Sequence, residues 1–190
     1  MNAQRQLAES FSKITTWMRD NDAPLLADNL APAASSQRLD EAEATLGFAL
    51  HPELRALWSL HDGQVEEQNG FYEWLDLLSA NEAVARREDV VRFLSFMREE
   101  PEVIAEVGMT EAELESDAWI PIACRDSDSL AVNAESGRVF RVGEDWPPFQ
   151  LEAQSVVAWA SAYAARVVAN GYRLEEGFGD YFLERRDFEA

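Results

Sequence analysis

Acidic side chains in predicted loops are the first residues of this sequence whose type and spacing suggest a task. They fall in three polar segments, and the last segment also holds two aromatic residues that flank a pair of prolines. Loops on a folded scaffold commonly carry binding residues, and rigid aromatic side chains commonly anchor protein interfaces. The predicted partner-binding residues are Glu66, Glu67, Asp126, Asp128, Glu144, Asp145, Trp146 and Phe149. The alternative is an ordinary solvated acid at each acidic position and a cap on the core at Trp146.

Residues that bind metals do not occur at the spacing of a known metal site. The segment Asp126-Ser127-Asp128 lacks the glycine and the distal glutamate of a calcium-binding loop. His51 and His61 are the only histidines, and neither belongs to a metal-binding spacing. The sequence therefore predicts no bound metal.

A nucleophilic site would require Cys124, the only cysteine, to meet His61 and an acid. Cys124 ends an apolar strand, where a buried and inert thiol is the usual finding. No glycine-rich phosphate loop or dinucleotide-binding fingerprint is present. We therefore predict no catalytic residue and no cofactor. An enzyme that uses Cys124 and His61 remains an alternative interpretation.

The charge balance narrows the classes of partner. The chain has 16 basic and 36 acidic residues, for a net charge of −20. A field of that sign repels nucleic-acid phosphates and anionic lipid surfaces, so we predict neither nucleic acid nor membrane as a partner. A basic protein surface is the favoured partner because complementary charge accelerates association. The alternative is that the acidity only serves solubility.

Composition predicts a cytoplasmic protein of one domain. The polar N-terminus, MNAQRQLAESFSK, lacks the apolar core of an export signal, and a single cysteine excludes an intrachain disulfide. No apolar run is long enough to cross a membrane. The 190 residues suit one domain over 1–190, with a core over about 35–170, an N-terminal helix over 3–19 and a C-terminal extension over 171–190. The oligomeric state is left open.

Apolar spacing predicts helices in the first part of the chain. Helical periodicity and stop signals place them over 3–19, over 37–47, from Pro52 onward and over about 80–98, the last preceded by a capping box at Ser79–Glu82. A second capping box is predicted at Thr110–Glu113. The small residues of 31–36 predict a mobile connection, so the first helix is expected to be loosely attached.

Strands are predicted mainly in the second part of the chain. They cover 71–78, 119–124, 129–133 and 138–142, and a hairpin turn joins the last two. A loop is expected over 143–150 and a long helix over 154–170, while the tail over 172–190 receives no assignment. This order predicts an α+β fold with a mostly antiparallel sheet flanked by helices.

Two segments together resemble the SUKH superfamily, which includes Smi/Knr-type regulators and bacterial immunity proteins. The stretch over 39–63 resembles the family's acidic helix, Leu-Gly, Leu-Pro and a helix that closes on a polar residue and glycine, although His51 is inserted between Leu50 and Pro52. The second segment has a Trp-x-Pro strand over 119–123, an Asp-bearing hairpin and a Gly-x-Val return strand. The helix over 155–168 also fits the family pattern.

The resemblance implies protein binding without catalysis. The first interpretation is a bacterial immunity protein that neutralises a toxin domain, and many such toxins act on nucleic acids and carry basic clefts. The alternative is a regulatory scaffold of the Smi/Knr type in cell-wall or signalling assemblies.

Overall fold

The structure is a computed structural model that describes residues 2–66, 69–99, 104, 106–144, 148–177 and 180–185. Its helices are α1 (Ala3–Asp20), α2 (Pro24–Asp28), α3 (Ser36–Leu46), α4 (Pro52–Trp58), α5 (Ala80–Glu99), α6 (Glu111–Glu115) and α7 (Val156–Val168). Its strands are β1 (Asn69–Gly70), β2 (Asp76–Leu77), β3 (Trp119–Arg125), β4 (Asp128–Asn133), β5 (Val139–Val142), β6 (Phe149–Ala153), β7 (Tyr172–Gly177) and β8 (Asp180–Arg185).

The larger sheet is antiparallel throughout. Its five strands follow one another in the order β2-β3-β4-β5-β6, and each pair of neighbours is antiparallel. Helices pack beside this sheet, and α5 lies against β3. The predicted α+β fold with a mostly antiparallel sheet is therefore confirmed.

The last two strands of the chain belong to a second, smaller sheet. Its order is β1-β8-β7, with an antiparallel β7–β8 hairpin and a parallel pairing of β1 with β8. The tail over 172–190 had no predicted secondary structure. The pairing of β8 with β1 joins segments far apart in the chain, and periodicity within one segment does not report such pairing.

Side-chain caps fix where several helices begin. The Ser79 hydroxyl receives the Glu82 backbone N–H at 3.2 Å, while the Glu82 carboxylate accepts the Ser79 N–H at 2.7 Å. Thr110 and Glu113 form the same reciprocal pair at α6. Both predicted capping boxes are therefore confirmed. The Ser155 hydroxyl caps α7 in the simpler way, by accepting the N–H of Ala158 at 3.1 Å.

Helix α1 is an integral part of the core. Its apolar face is fully buried, and Phe11 stacks on Phe71 with ring centroids 5.3 Å apart. The Trp17 indole N–H also donates to the side-chain oxygen of Asn170, just beyond α7, at 3.0 Å. The expectation of a loosely attached first helix is wrong, because Phe11 supplies apolar surface that the α4–α7 region needs for its core.

Two strand assignments differ from the prediction. The segment predicted as a strand over 71–78 is a tight turn, and only the two residues of β2 pair with β3. Glu73 in that turn has a φ of +56°, which ends regular pairing. The expected loop over 143–150 ends in strand β6, which pairs with β5.

Asp62 and Gly63, which follow α4, contact two other segments of the chain. The buried carboxylate of Asp62 accepts a hydrogen bond from the Ala80 N–H at 2.9 Å and pairs with Arg38 at 2.5 Å. Gly63 follows with a φ of +79°, and a methyl group there would overlap the backbone nitrogen of Ser79. The polar residue and glycine predicted as a helix stop therefore also dock α3 and the start of α5.

The inserted His51 has a local structural role. Its Nδ1 accepts the Glu53 N–H at 3.3 Å and caps α4. The ring lies against Gly137 in the β4–β5 hairpin, where any side chain would collide with it. The Glu53 carboxylate in turn accepts the Val157 N–H at 2.9 Å, so this corner of α4 also positions α7.

A buried polar cluster links the 71–75 turn to the end of the chain. Glu73 is 2% exposed, pairs with Arg141 at 2.8 Å and accepts the Tyr172 hydroxyl at 3.2 Å. The Tyr72 hydroxyl donates to Glu152 at 2.6 Å. Burial, followed by the charges of Glu152 and Glu73, raises the pKa of Tyr72 far above its ordinary value, so it stays a hydrogen-bond donor.

Candidate protein-binding groove

A surface groove runs along one end of the larger sheet. It has a volume of about 360 Å³ and is lined by Gln64, Val65, Glu66, Asp76, Leu77, Leu78, Glu82, Arg86, Cys124, Arg125 and Asp126. A second depression of about 210 Å³ shares Arg86, Cys124 and Asp126 and continues along Asp89, Arg92, Phe93, Ser127 and Ser129. We call the two together the groove. Its walls are the 64–66 loop, β2, α5 and the β3–β4 turn.

The groove brings together two acids that were predicted separately. Glu66 and Asp126 both line it, and both are exposed. Neither carboxylate forms an ion pair or hydrogen bond with another residue in the described part of the chain. Together they place two negative charges beside one concave surface.

Local structure explains how each acid is presented. The side chain of Asn29 accepts the Glu66 N–H and donates to the Glu66 carbonyl, both at 2.8 Å. This clamp fixes the backbone and leaves the Glu66 carboxylate in solvent. Asp126 has a φ of +52° in the turn between β3 and β4, a conformation that aspartate tolerates better than most residues. The turn directs its side chain to the groove.

The other charges of the groove are mostly engaged in the fold. Arg125 pairs with Asp76 at 3.0 Å, and both side chains are largely buried in the wall. Glu82 is held by the α5 capping box. Arg86 is exposed and forms no ion pair with a described residue. Asp89 and Arg92 of the second depression are exposed and lie 3.9 Å apart as an ion pair. Among its described residues, the groove therefore offers two accessible carboxylates and one accessible guanidinium outside ion pairs.

Apolar surface lies beneath and beside these charges. Leu77, Leu78 and Cys124 line the groove and are almost fully buried. Val65, next to Glu66, is 67% exposed, the largest exposure among the large apolar residues noted in the described part of the chain. Val65 was missed by the sequence prediction. Its signal is a lone β-branched apolar residue inside the polar 64–70 loop.

Asp128 and Glu144 lie at the same end of the sheet but do not line the groove. Asp128 starts β4 and is half-buried, with its carboxylate packed over Gly143, where a side chain would collide with it. Glu144 is exposed in the connection from β5 to β6. Of the described acids predicted to bind a partner, Glu66 and Asp126 are therefore those that border the groove.

Four other residues were predicted to bind a partner, and one of them lies in the described part of the chain. Phe149 is fully buried, with its ring centroid 5.2 Å from that of Trp119 and 6.4 Å from that of Phe140. It belongs to the second core cluster, so the prediction that it anchors a partner is wrong for the folded chain. Glu67, Asp145 and Trp146 lie outside the described residues.

Cys124 and His61 line different depressions. Cys124 lines the groove, whereas His61 borders a depression beside α1, where its ring stacks on Phe11 at 5.5 Å and its Nδ1 lies 3.0 Å from the Ala31 carbonyl oxygen. Burial raises the pKa of the Cys124 thiol to about 11, so the thiol is protonated at neutral pH.

Within the described residues, no group of three or more histidine, cysteine, aspartate or glutamate side chains is arranged to hold a metal ion. The helices described in the structure are also too short or too polar to cross a bilayer.

The fold and the groove define a class of protein. It is an α+β protein in which strands of an antiparallel sheet and helix α5 border a surface groove. Residues 33–162 match the SMI1/KNR4 family (SUKH-1), and the chain belongs to that family. No curated protein matches the chain closely enough to be counted as a relative. The family is associated with the binding of partner proteins.

The family match covers the groove but not the whole core. It extends from the approach to α3 into α7 and includes every residue that lines the groove. Helices α1 and α2 and the β7–β8 hairpin lie outside it. The resemblance seen in the sequence, over roughly 35–170, agrees closely with these bounds.

Proposed function

We propose that this chain is a non-catalytic binding protein of the immunity type, which neutralises a toxin domain by docking it against the groove. The observation that carries the proposal is the pair of exposed, unpaired carboxylates, Glu66 and Asp126, beside exposed Val65. Interfaces commonly combine an apolar contact with charged groups at its rim. In the groove, Val65 supplies the apolar contact, and Glu66 and Asp126 supply the charged groups.

Electrostatics supports a basic partner. The chain carries a net charge of −20, and at least eleven of its arginines are already engaged in ion pairs with its own carboxylates. The unpaired surplus is therefore negative. Such a surface attracts the basic cleft of a nucleic-acid-degrading toxin and repels the nucleic acid that the toxin would otherwise bind.

The test first looks beside this gene for one that encodes a large secreted protein ending in a small basic domain, the partner that the proposal predicts, and the absence of such a gene would count against the proposal. That domain is produced in cells with and without the chain, and growth is measured. Binding of the purified pair is then followed as salt rises. We expect the chain to restore growth and the affinity to fall with salt, because screening weakens charge attraction.

Matched variants locate the binding surface. The double substitution Glu66→Gln, Asp126→Asn removes the two exposed groove carboxylates that pair with no described residue, and it is expected to weaken binding by roughly tenfold or more. The control, Asp20→Asn, Glu41→Gln, removes the same number of charges from exposed positions that do not line the groove. Equal effects of the two variants would contradict the groove as the docking site.

Two further outcomes would contradict the immunity role itself. One is a neighbouring domain that is neither bound nor neutralised. The other is an affinity that does not respond to salt. Several weak partners with no protection against any toxin would instead favour a regulatory scaffold of the Smi/Knr type.

A further inference from the structure

The smaller sheet ends in an edge strand. Its order is β1-β8-β7, and β7 pairs only with β8 among the described strands. An edge strand presents backbone donors and acceptors that can pair with another strand, and proteins usually shield such edges. No described helix packs extensively along β7.

The register identifies which backbone groups face outward. Gly177 pairs with Asp180 across two residues, and the pair that encloses a two-residue connection exchanges both of its hydrogen bonds. Hydrogen-bonded pairs alternate along an antiparallel ladder, so Glu175 and Arg173 also bond to β8. The N–H and C=O of Leu174 therefore point away from β8. They form no hydrogen bond with any residue in the part of the chain that the structure describes.

Two oppositely charged residues of β7, Arg173 and Glu175, flank Leu174, and Arg173 also pairs with Glu184 of β8 at 2.5 Å. Arg173 and Glu175 lie on one face of the strand, 2.7 Å apart, with side chains that are 41% and 37% exposed. Leu174 lies on the other face, partly buried against the main core. A two-fold axis through Leu174 would therefore place each Arg173 opposite a Glu175 of the other strand.

We propose that β7 binds β7 of a second copy of this chain, antiparallel and centred on Leu174. The two Leu174 residues would exchange backbone hydrogen bonds, and two copies of the three-stranded sheet would join into one of six strands. The neighbouring Arg173–Glu175 pairs would be non-hydrogen-bonded pairs, in which side chains approach most closely. Because the same patch is used on both chains, the assembly closes as a dimer.

A second copy fits this edge better than an unrelated strand because the charge pattern complements itself. The whole-molecule charge of −20 opposes self-association. Screening this repulsion should outweigh the loss of two local ion pairs, so we expect the dimer to strengthen as salt rises. That direction is opposite to the one expected for a basic toxin. The inference does not depend on the proposed function, and the two can fail separately.

Charge-reversal variants test the register. In the Arg173→Glu variant, both cross-strand pairs of a homodimer become Glu–Glu, and in the Glu175→Arg variant both become Arg–Arg. A mixture of the two variants restores two opposite-charge pairs in a heterodimer. By sedimentation equilibrium at high salt, we expect each variant alone to self-associate roughly tenfold or more weakly than the original chain. We expect the mixture to recover the association.

The control reverses an exposed ion pair elsewhere. Arg5 and Glu9 of α1 are 2.9 Å apart, and the variants Arg5→Glu and Glu9→Arg should leave self-association unchanged. Hydrogen exchange at the Leu174 amide of the original chain gives a second readout that needs no substitution. It should slow as protein concentration rises.

Three results would overturn the proposal. The first is an original chain that remains monomeric at every salt and concentration. The second is an association that both single variants retain. The third is a mixture of folded variants that fails to recover the association.

Discussion

Gly47 and Gly63 provide a matched pair for separating backbone strain from steric collision. Both have a left-handed φ, +78° and +79°. A methyl group at Gly47 would meet nothing within 4 Å, whereas one at Gly63 would overlap backbone atoms of Leu78 and Ser79. The two positions therefore share the strain and differ in the space available.

We expect Gly47→Ala to lower the free energy of unfolding by about 1 kcal/mol, the usual cost of a left-handed alanine. Gly63→Ala should cost several times as much, about 3 kcal/mol or more, because backbone atoms cannot move aside as a flexible side chain can. Urea unfolding of both variants measures the difference. Equal losses would show that the contact between the 62–63 and 78–80 segments is loose in solution.

The thiol of Cys124 is expected to react slowly at neutral pH. Its pKa is raised to about 11 by burial, so the thiolate, which is the reactive form, is scarce below that pH. The folded state binds this proton more tightly than the unfolded chain does, since an ordinary cysteine has a pKa near 8.5. The associated stability is present below about pH 8.5 and is lost as pH rises toward 11.

Alkylation of the folded protein across this pH range measures the shift, and alkylation in urea supplies the unfolded reference. We expect the folded rate to keep increasing up to about pH 11. A rate that reaches half its maximum near pH 8.5 would show an ordinary thiol, and one that does so well below that pH would identify an activated thiol. That result would favour the enzyme alternative.

At the scale of elements, α1 is expected to support the fold although it lies outside the family match. Phe11 of α1 is 2% exposed and contacts rings of the central core, whereas Phe96 of α5 is 47% exposed. Phe11→Ala should lower the free energy of unfolding by about 3–5 kcal/mol, and Phe96→Ala by less than about 1 kcal/mol. Thermal unfolding followed by circular dichroism compares them. Similar small losses would mean that α1 is detached in solution.

Among the helices and strands, those with local sequence signals were predicted and others were missed. Helices with local signals, such as the Ser79–Glu82 cap of α5, were predicted within a few residues. Strands β7 and β8 were not, although they form a local hairpin, and their sheet is completed by β1, which lies far away in the chain. Glu73 was also missed, since a left-handed glutamate inside an apolar segment leaves no recognisable pattern.

For the candidate site, individual residues were predicted from the sequence, but their arrangement in space was not. Glu66 and Asp126 were predicted from their loops, one by one. Their meeting in the groove depends on Asn29 clamping the 65–66 loop and on β2 pairing with β3, which are non-local contacts. Phe149 was predicted on the surface because its prolines suggested a loop, and the pairing of β6 with β5 instead buries it.

For the whole molecule, the net charge of −20 should make stability depend on salt. Most described arginines already pair with carboxylates, so the surplus acids repel one another across the surface, and this repulsion is smaller in the expanded unfolded chain. Salt screens such charges beyond about 8–10 Å at moderate ionic strength. We therefore expect added sodium chloride to raise the free energy of unfolding by about 1 kcal/mol at neutral pH, with most of the gain at low salt, as surface electrostatics predicts.

Urea unfolding at a series of salt concentrations measures this dependence, with potassium chloride as a control that should give the same curve. A stability that falls with salt would mean that the ion pairs outweigh the repulsion between the surplus acids.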